Sequence, residues 1–336
     1  MKKFFALGAS LAFFTLLISP IAYAVTKITS KPLTGVTSTS TPAIDINNHG
    51  HIVGNNTTSN GQTHAYRYIN NAWQDLGTLG GNLSVAEAIN DKEQVVGVSV
   101  AANGADEYGF IWQSNVMKAL QGVNGSDSEA LAINNKGVVA GTCLISSGQE
   151  NACLWKNGVA QNLGTLGGSR SWAYAINDSN VVVGISDTTT GDSHAFIWQN
   201  GVMTDLGTLG GAQSIATGIN VSNQVVGYSN LPNGRTNAFI WQKGKMQNIG
   251  TLGGFFSYAR GINDKGQVVG IATRGENAPL NSDEAFIWQN GVMTDLDNNG
   301  GYGSDAYSIN NDGKIVGDEL VDNNSNYLGL EWIYKN

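Results

Sequence analysis

Few side chains in this 336-residue sequence are equipped for chemistry. The histidines stand at 49, 51, 64 and 194, and the cysteines at 143 and 153. His49-x-His51 could begin a zinc site, which would need further ligands, and none is evident in the sequence. There is no CxxC redox motif, and two thiols with no histidine nearby do not make a zinc site. The acid pairs Asp106-Glu107 and Asp283-Glu284 have the groups for glycoside hydrolysis, but adjacent acids are more commonly solvated loop charges. No Gly-x-Ser-x-Gly elbow stands in a strand-turn-helix setting. Asn310-Asn311-Asp312-Gly313 has the composition of a calcium loop without its spacing. No catalytic residue, metal or cofactor is expected on this reading.

A second set of residues suits recognition instead. Arg170 and Trp172, then Phe255, Phe256, Tyr258 and Arg260, then Tyr302, Asp305 and Tyr307 place aromatic rings beside polar groups. Such a surface fits a sugar or a peptide. The competing expectation packs about half of these rings between structural units, because aromatic residues usually bury.

What positions these residues is a repeat. Ile-Asn recurs with its asparagine at 47, 90, 134, 177, 220, 263 and 310. A glycine follows each at a constant offset: Gly54, Gly97, Gly141, Gly184, Gly227, Gly270 and Gly317. A period in the forties implies one supersecondary unit per copy. Each copy reads as four short strands. Strand a ends at Ile-Asn, and strand b is the Val-Val-Gly run. Strand c is Ala-Phe-Ile-Trp, closed by a Gln-Asn-Gly turn, and strand d leads into Gly-Gly. Strand c is apolar at successive positions (Phe196, Ile197, Trp198), so both of its faces need cover. Strand a carries small residues such as Ala173, Ala175, Ala216 and Gly218, which suit the narrow centre of a radial fold.

These features predict an all-β chain: a seven-bladed β-propeller of four-stranded antiparallel blades. The last repeat stops at strand c, and residues 26–35 sit where a strand d belongs. The N-terminal strand is therefore expected to complete the last blade and close the ring. Length differences fall in the b–c loop, which spans 12 residues from Gly184 to Phe196, 13 from Gly97 to Phe110 and 16 from Gly270 to Phe286. The b–c and d–a connections emerge on one face of such a fold, which makes that face the expected binding surface. The asparagines would ring the other end of strand a, bonding local backbone or lining a channel mouth.

The repeat resembles the HAF-repeat family of predicted extracellular bacterial proteins. The resemblance is carried by His194-Ala195-Phe196 and by Asp-Leu-Gly-Thr-Leu-Gly-Gly at 75–81 and 205–211. It implies secretion and a repeat fold, and no activity. The motif departs in His64-Ala65-Tyr66, Asn237-Ala238-Phe239, Glu284-Ala285-Phe286 and Ala152-Cys153-Leu154, so the histidine is not required, which argues against a repeated catalytic role for it.

The ends and composition agree with export. Met1-Lys2-Lys3, an apolar run from Phe4 to about Ile21 and Ala22-Tyr23-Ala24 have the layout of a secretory signal over residues 1–24, leaving 25–336 as one domain. No later segment is apolar enough to span a bilayer. Cys143 and Cys153 would pair in an oxidising compartment, across the b–c hairpin. With 18 basic against 26 acidic residues, nucleic acid is a poor partner. The expectation is a periplasmic or extracellular monomer that binds a glycan or protein. The alternatives are a propeller hydrolase or lyase acting on glycans, and a structural role in an envelope or matrix.

Overall fold

The computed structural model describes residues 27–33, 43–275, 283–297, 303–320 and 327–335. The expected export signal (1–24) and Tyr302 lie outside them. The described chain is all-β apart from a 3-10 turn at Val123–Gly125. None of its helices is long and apolar enough to cross a membrane.

Strands a to d of each repeat are adjacent and antiparallel. In the fourth repeat they are Gly167–Ile176, Val182–Thr188, Ser193–Gln199 and Val202–Asp205. The third to sixth repeats each form a four-stranded sheet. The first two are joined into one eight-stranded sheet by a single parallel pair, Thr63 with Leu83. The last repeat supplies Ser304–Ile309, Lys314–Leu320 and Tyr327–Lys335, and its fourth strand is Lys27–Pro32, with Ser30 opposite Trp332. This is the pairing expected from the missing strand d.

Local chemistry explains the strand ends. At the c–d turn, Asn200 and Gly201 have φ of 52° and 88°. Two successive positive φ values define the type I′ turn, whose twist suits a tight hairpin. Strand a is bulged, its register against strand b shifting between Ala173 and Ala175. The bulge drives the Trp172 carbonyl toward strand b, where a Cβ on Gly184 would lie 1.9 Å from it. Gly97, Gly141, Gly227, Gly270 and Gly317 face the same obstruction at 1.9–2.0 Å. The constant glycine of the repeat is thus the complement of the bulge.

The core is divided among the spaces between sheets. Phe196 and Trp198 pack with Ala152 and Leu154 of the preceding repeat, whereas Ala195 faces Ala216 and Phe239 of the next. Strand c is covered on both faces, as its sequence demands. Leu330 and Trp332 pack with Ile287 of the sixth repeat, and Val316 with Ile46 and Ile52 of the first. A buried serine adds a polar pin between sheets: Ser214 Oγ accepts from the Ala195 N–H (2.8 Å) and donates to the Gly207 carbonyl (2.6 Å).

The repeated asparagines hold more than their own turns. Asn177 Oδ1 accepts from the backbone N–H groups of Ser179 (3.0 Å) and Val181 (3.1 Å). Its Nδ2 donates to the Asn220 carbonyl, one repeat on, at 3.1 Å. The same donation links Asn47 to Asn90, Asn90 to Asn134, Asn134 to Asn177, Asn220 to Asn263, Asn263 to Asn310, and Asn310 to Asn47. Local bonding was the expectation, and the link to the neighbouring repeat comes in addition.

Candidate functional site

Each strand a lies beside the strand a of its neighbours. A buried alanine stands four residues before each ring asparagine, at 43, 86, 130, 173, 216, 259 and 306. The next residue, displaced by the bulge, turns into the space the strands enclose. Ile44, Glu87, Leu131, Tyr174, Thr217, Arg260 and Tyr307, with Ile215 and Tyr228, line a cavity of about 430 Å³ there.

Charge and aromatic groups are unevenly spread around this cavity. Arg260 forms a two-pronged pair with the buried Asp305, Nε to Oδ1 at 3.0 Å and Nη2 to Oδ2 at 2.5 Å. Its guanidinium also lies 5.1 Å over the Tyr307 ring. Burial pushes the Asp305 carboxyl above its ordinary range despite the adjacent Arg260. Tyr307 donates to Asp318 Oδ2 at 3.2 Å. Burial, then the charge of Asp305, raises Asp318 to about 6. Burial and these same acids hold Tyr307 well above the tyrosine range, so it stays a neutral phenol. Glu87 is pushed up to about 7, by burial and then by Glu129. The cavity thus offers a cation, a carboxyl that exchanges a proton near neutrality, phenolic hydroxyls and apolar surface from Ile44 and Leu131.

The recognition residues expected from sequence divide between two places. Arg260 and Tyr307 line the cavity, and Asp305 holds Arg260. Tyr258 packs edge-on against the lining Tyr228 (centroids 4.6 Å apart), with Phe256 behind it at 4.9 Å. Arg170 and Trp172 are not part of this lining. Arg170 stacks over Trp172 at 5.2 Å and reaches Asp187 Oδ2 at 3.4 Å. Phe255 is exposed beneath Arg235. Sequence reasoning missed Glu87, Leu131 and Tyr174. The available signal was their constant place, three residues before each asparagine and beside an invariant alanine, where residue type varies freely.

The chain has the β-propeller fold. It is similar to the β-propeller domain of the Trilobed protease from Pyrococcus furiosus, with a TM-score of 0.61 at 10% identity over 90% of this chain and 96% of that one. It is also similar to a puromycin-hydrolyzing peptidase from Mycobacterium tuberculosis, at TM-score 0.58 and 10% identity, covering 86% of this chain and 51% of that one. A puromycin hydrolase matches at TM-score 0.55 and 10% identity, over 89% of this chain and 54% of that one. The chain therefore spans about half the length of these two hydrolases. No family model matches the sequence, and no curated protein does.

The other chemistry-bearing residues have structural partners. His64 and His194 Nδ1 meet Asp75 and Asp205 across the c–d hairpin at 2.9 and 2.8 Å. Asp205 Oδ1 also accepts from the Gly207 N–H at 2.7 Å, capping the turn that follows. Where histidine is replaced, Asn237 donates to Asn248 in the same place at 3.0 Å. The His-Ala-Phe histidine is thus a hairpin clasp. Cys143 and Cys153 are joined by a disulfide, Cα atoms 5.9 Å apart, between strands b and c. In the Asn-Asn-Asp-Gly turn, Asn310 Oδ1 accepts from Asp312 and Lys314, and Asn311 donates to Asp264. Beside His49 and His51 the structure places Glu93, a third potential ligand that the sequence alone did not reveal.

Proposed function

We propose that the chain is a secreted, closed, seven-bladed propeller of the HAF-repeat type that binds a glycan or peptide at its axial cavity and the adjoining b–c and d–a loops. Supporting closure are the asparagine chain that runs from Asn47 through each repeat and back, and the pairing of residues 27–32 with the last strand. Export is supported by the leader-like residues 1–24, and a Cys143–Cys153 bridge agrees with an oxidising compartment. The acidic balance disfavours nucleic acid, and the protein acts as a monomer.

The observation that carries the binding reading is the lining itself. Tyr174, Tyr228 and Tyr307 share one cavity with Arg260 and Glu87. Tyrosine faces pack against sugar rings or side chains, and the charged groups fix orientation by hydrogen bonding. Glycan and peptide arrays with the mature protein test it. Ligands should be retained whose affinity falls at least about tenfold in Tyr174→Ala, a solvent-reached position. Ligands lost in Trp172→Ala but not in Tyr174→Ala or Arg260→Ala would move the site to the outer loops and overturn the axial assignment. One observation favours a second reading, a glycan hydrolase or lyase. A carboxyl raised to about 7 at Glu87 is suited to proton donation near neutrality. Turnover of an array ligand that disappears in Glu87→Gln would establish it.

A further inference from the structure

We propose that His49, His51 and Glu93 form a binding site for a divalent transition-metal ion, with Zn2+ as the best match. The two histidines occupy the a–b turn of the first repeat and Glu93 that of the second, on the face opposite the b–c loops. One ligand atom from each lies within 4.8 Å of the others. Glu93 Oε1 is 2.5 Å from His51 Nδ1 and 3.7 Å from His49 Nδ1. Tetrahedral zinc with bonds of about 2.0–2.1 Å separates its ligand atoms by roughly 3.3 Å. The two Glu93 distances straddle that value, and the separation between the two histidine ligand atoms stays within 4.8 Å, so side-chain rotation about a fixed backbone brings the three to an ion. Two imidazoles and a carboxylate are a donor set zinc accepts, with a fourth position left for water or a ligand.

The backbone that carries the three side chains is fixed. Asn47 Oδ1 accepts from the N–H groups of both His49 (3.1 Å) and His51 (2.9 Å). The Glu93 N–H donates to the Asn90 carbonyl at 3.2 Å. Arg67 Nη1 lies 3.6 Å from Glu93 Oε2, which orients the carboxylate with Oε1 toward the imidazoles.

The residue choices are specific to this pair of turns. Glu93 has a φ of 63°, at a turn position where the other repeats place glycine (50, 137, 266, 313) or asparagine (180, 223). A glutamate in the left-handed region carries a backbone cost that those residues largely avoid. The position of His51 is filled elsewhere by glutamine (94, 224, 267), valine or lysine. Among the described residues, three metal-ligating side chains come this close only where the first and second repeats meet.

Those same comparisons supply variants that respect the fold. Calorimetric titration of metal-free protein with Zn2+ should give about one ion per chain. Glu93→Gly and His51→Gln use residues native to equivalent turns, so each should fold. Each should lose at least about tenfold in Zn2+ affinity. Zn2+ should raise the melting temperature of the wild-type protein and not of these variants, and His194→Gln should bind as the wild type does. Absence of stoichiometric Zn2+ binding, undiminished affinity in both folded variants, or loss of binding in His194→Gln would each overturn the assignment.

Discussion

Replacing Asn177 tests whether the repeats are bound to one another by their turns. Asn177→Ala removes the acceptor for the Ser179 and Val181 N–H groups. It also removes donation to the Asn220 carbonyl and to Asn223 Oδ1. At a net ~1 kcal/mol per bond, the four losses total about 4 kcal/mol. The site is buried and Val181 is fully so, which leaves its N–H without solvent to turn to. With an unfolding entropy of ~2.1 cal/mol/K per residue over a domain of roughly 300 residues, the melting temperature should fall by about 6 °C. Asn177→Asp separates the two roles. It keeps the acceptor for the turn and loses the donor to the next repeat, so its cost should be roughly half or more of the alanine cost. Urea and thermal unfolding of the three proteins decide the matter. An aspartate variant as stable as the wild type would refute the claim that the inter-repeat bond contributes to stability.

Three other outcomes are expected. Gly184→Ala places a Cβ against the Trp172 carbonyl and should cost about 3 kcal/mol or more, read as loss of soluble protein or of the cooperative transition. Cys143 and Cys153 are 10 residues apart, so Cys153→Ser should destabilise by about 2–3 kcal/mol. The unreduced wild-type protein should show no free thiol at these positions. For Glu87, whose folded carboxyl is raised to about 7, folding binds the proton more tightly than the unfolded chain does. Its contribution is fully present below about pH 4 and is lost as pH rises through about 7. Glu87→Gln should therefore gain melting temperature over the wild type at about pH 8 and lose that advantage near pH 4.

Much of the fold was legible because its causes are local. Asn200-Gly201 can adopt the turn that strands c and d require, and Phe196-Ile197-Trp198 announces a strand covered on both faces. The missing final strand was legible by bookkeeping, since the repeat leaves one unpaired segment at each end. The site was legible only in part, because its causes are relational. The bulge at Ala173 sets which side chain reaches the cavity, and nothing in Tyr174 itself betrays that displacement. Arg260 was found by its company of aromatics, whereas Glu87 and Leu131 had none. His51 and Glu93 are brought together by the packing of one turn against the next, a distance of 42 residues along the chain.

The union of residues 27–32 with residues 327–335 bears on how the molecule is made. Leu33 and Trp332 are both buried, and the Leu33 N–H reaches the Gly329 carbonyl at 3.0 Å. Residues 27–32 are synthesised roughly 300 residues before the strand they pair with, so they find their place only after residues 327–335 have emerged. Closing so long a span is entropically slow, and the segment must stay extended and uncommitted in the meantime. Relocating those residues behind residue 336 by circular permutation would turn a pairing of strands roughly 300 residues apart into a hairpin, and assembly should quicken accordingly.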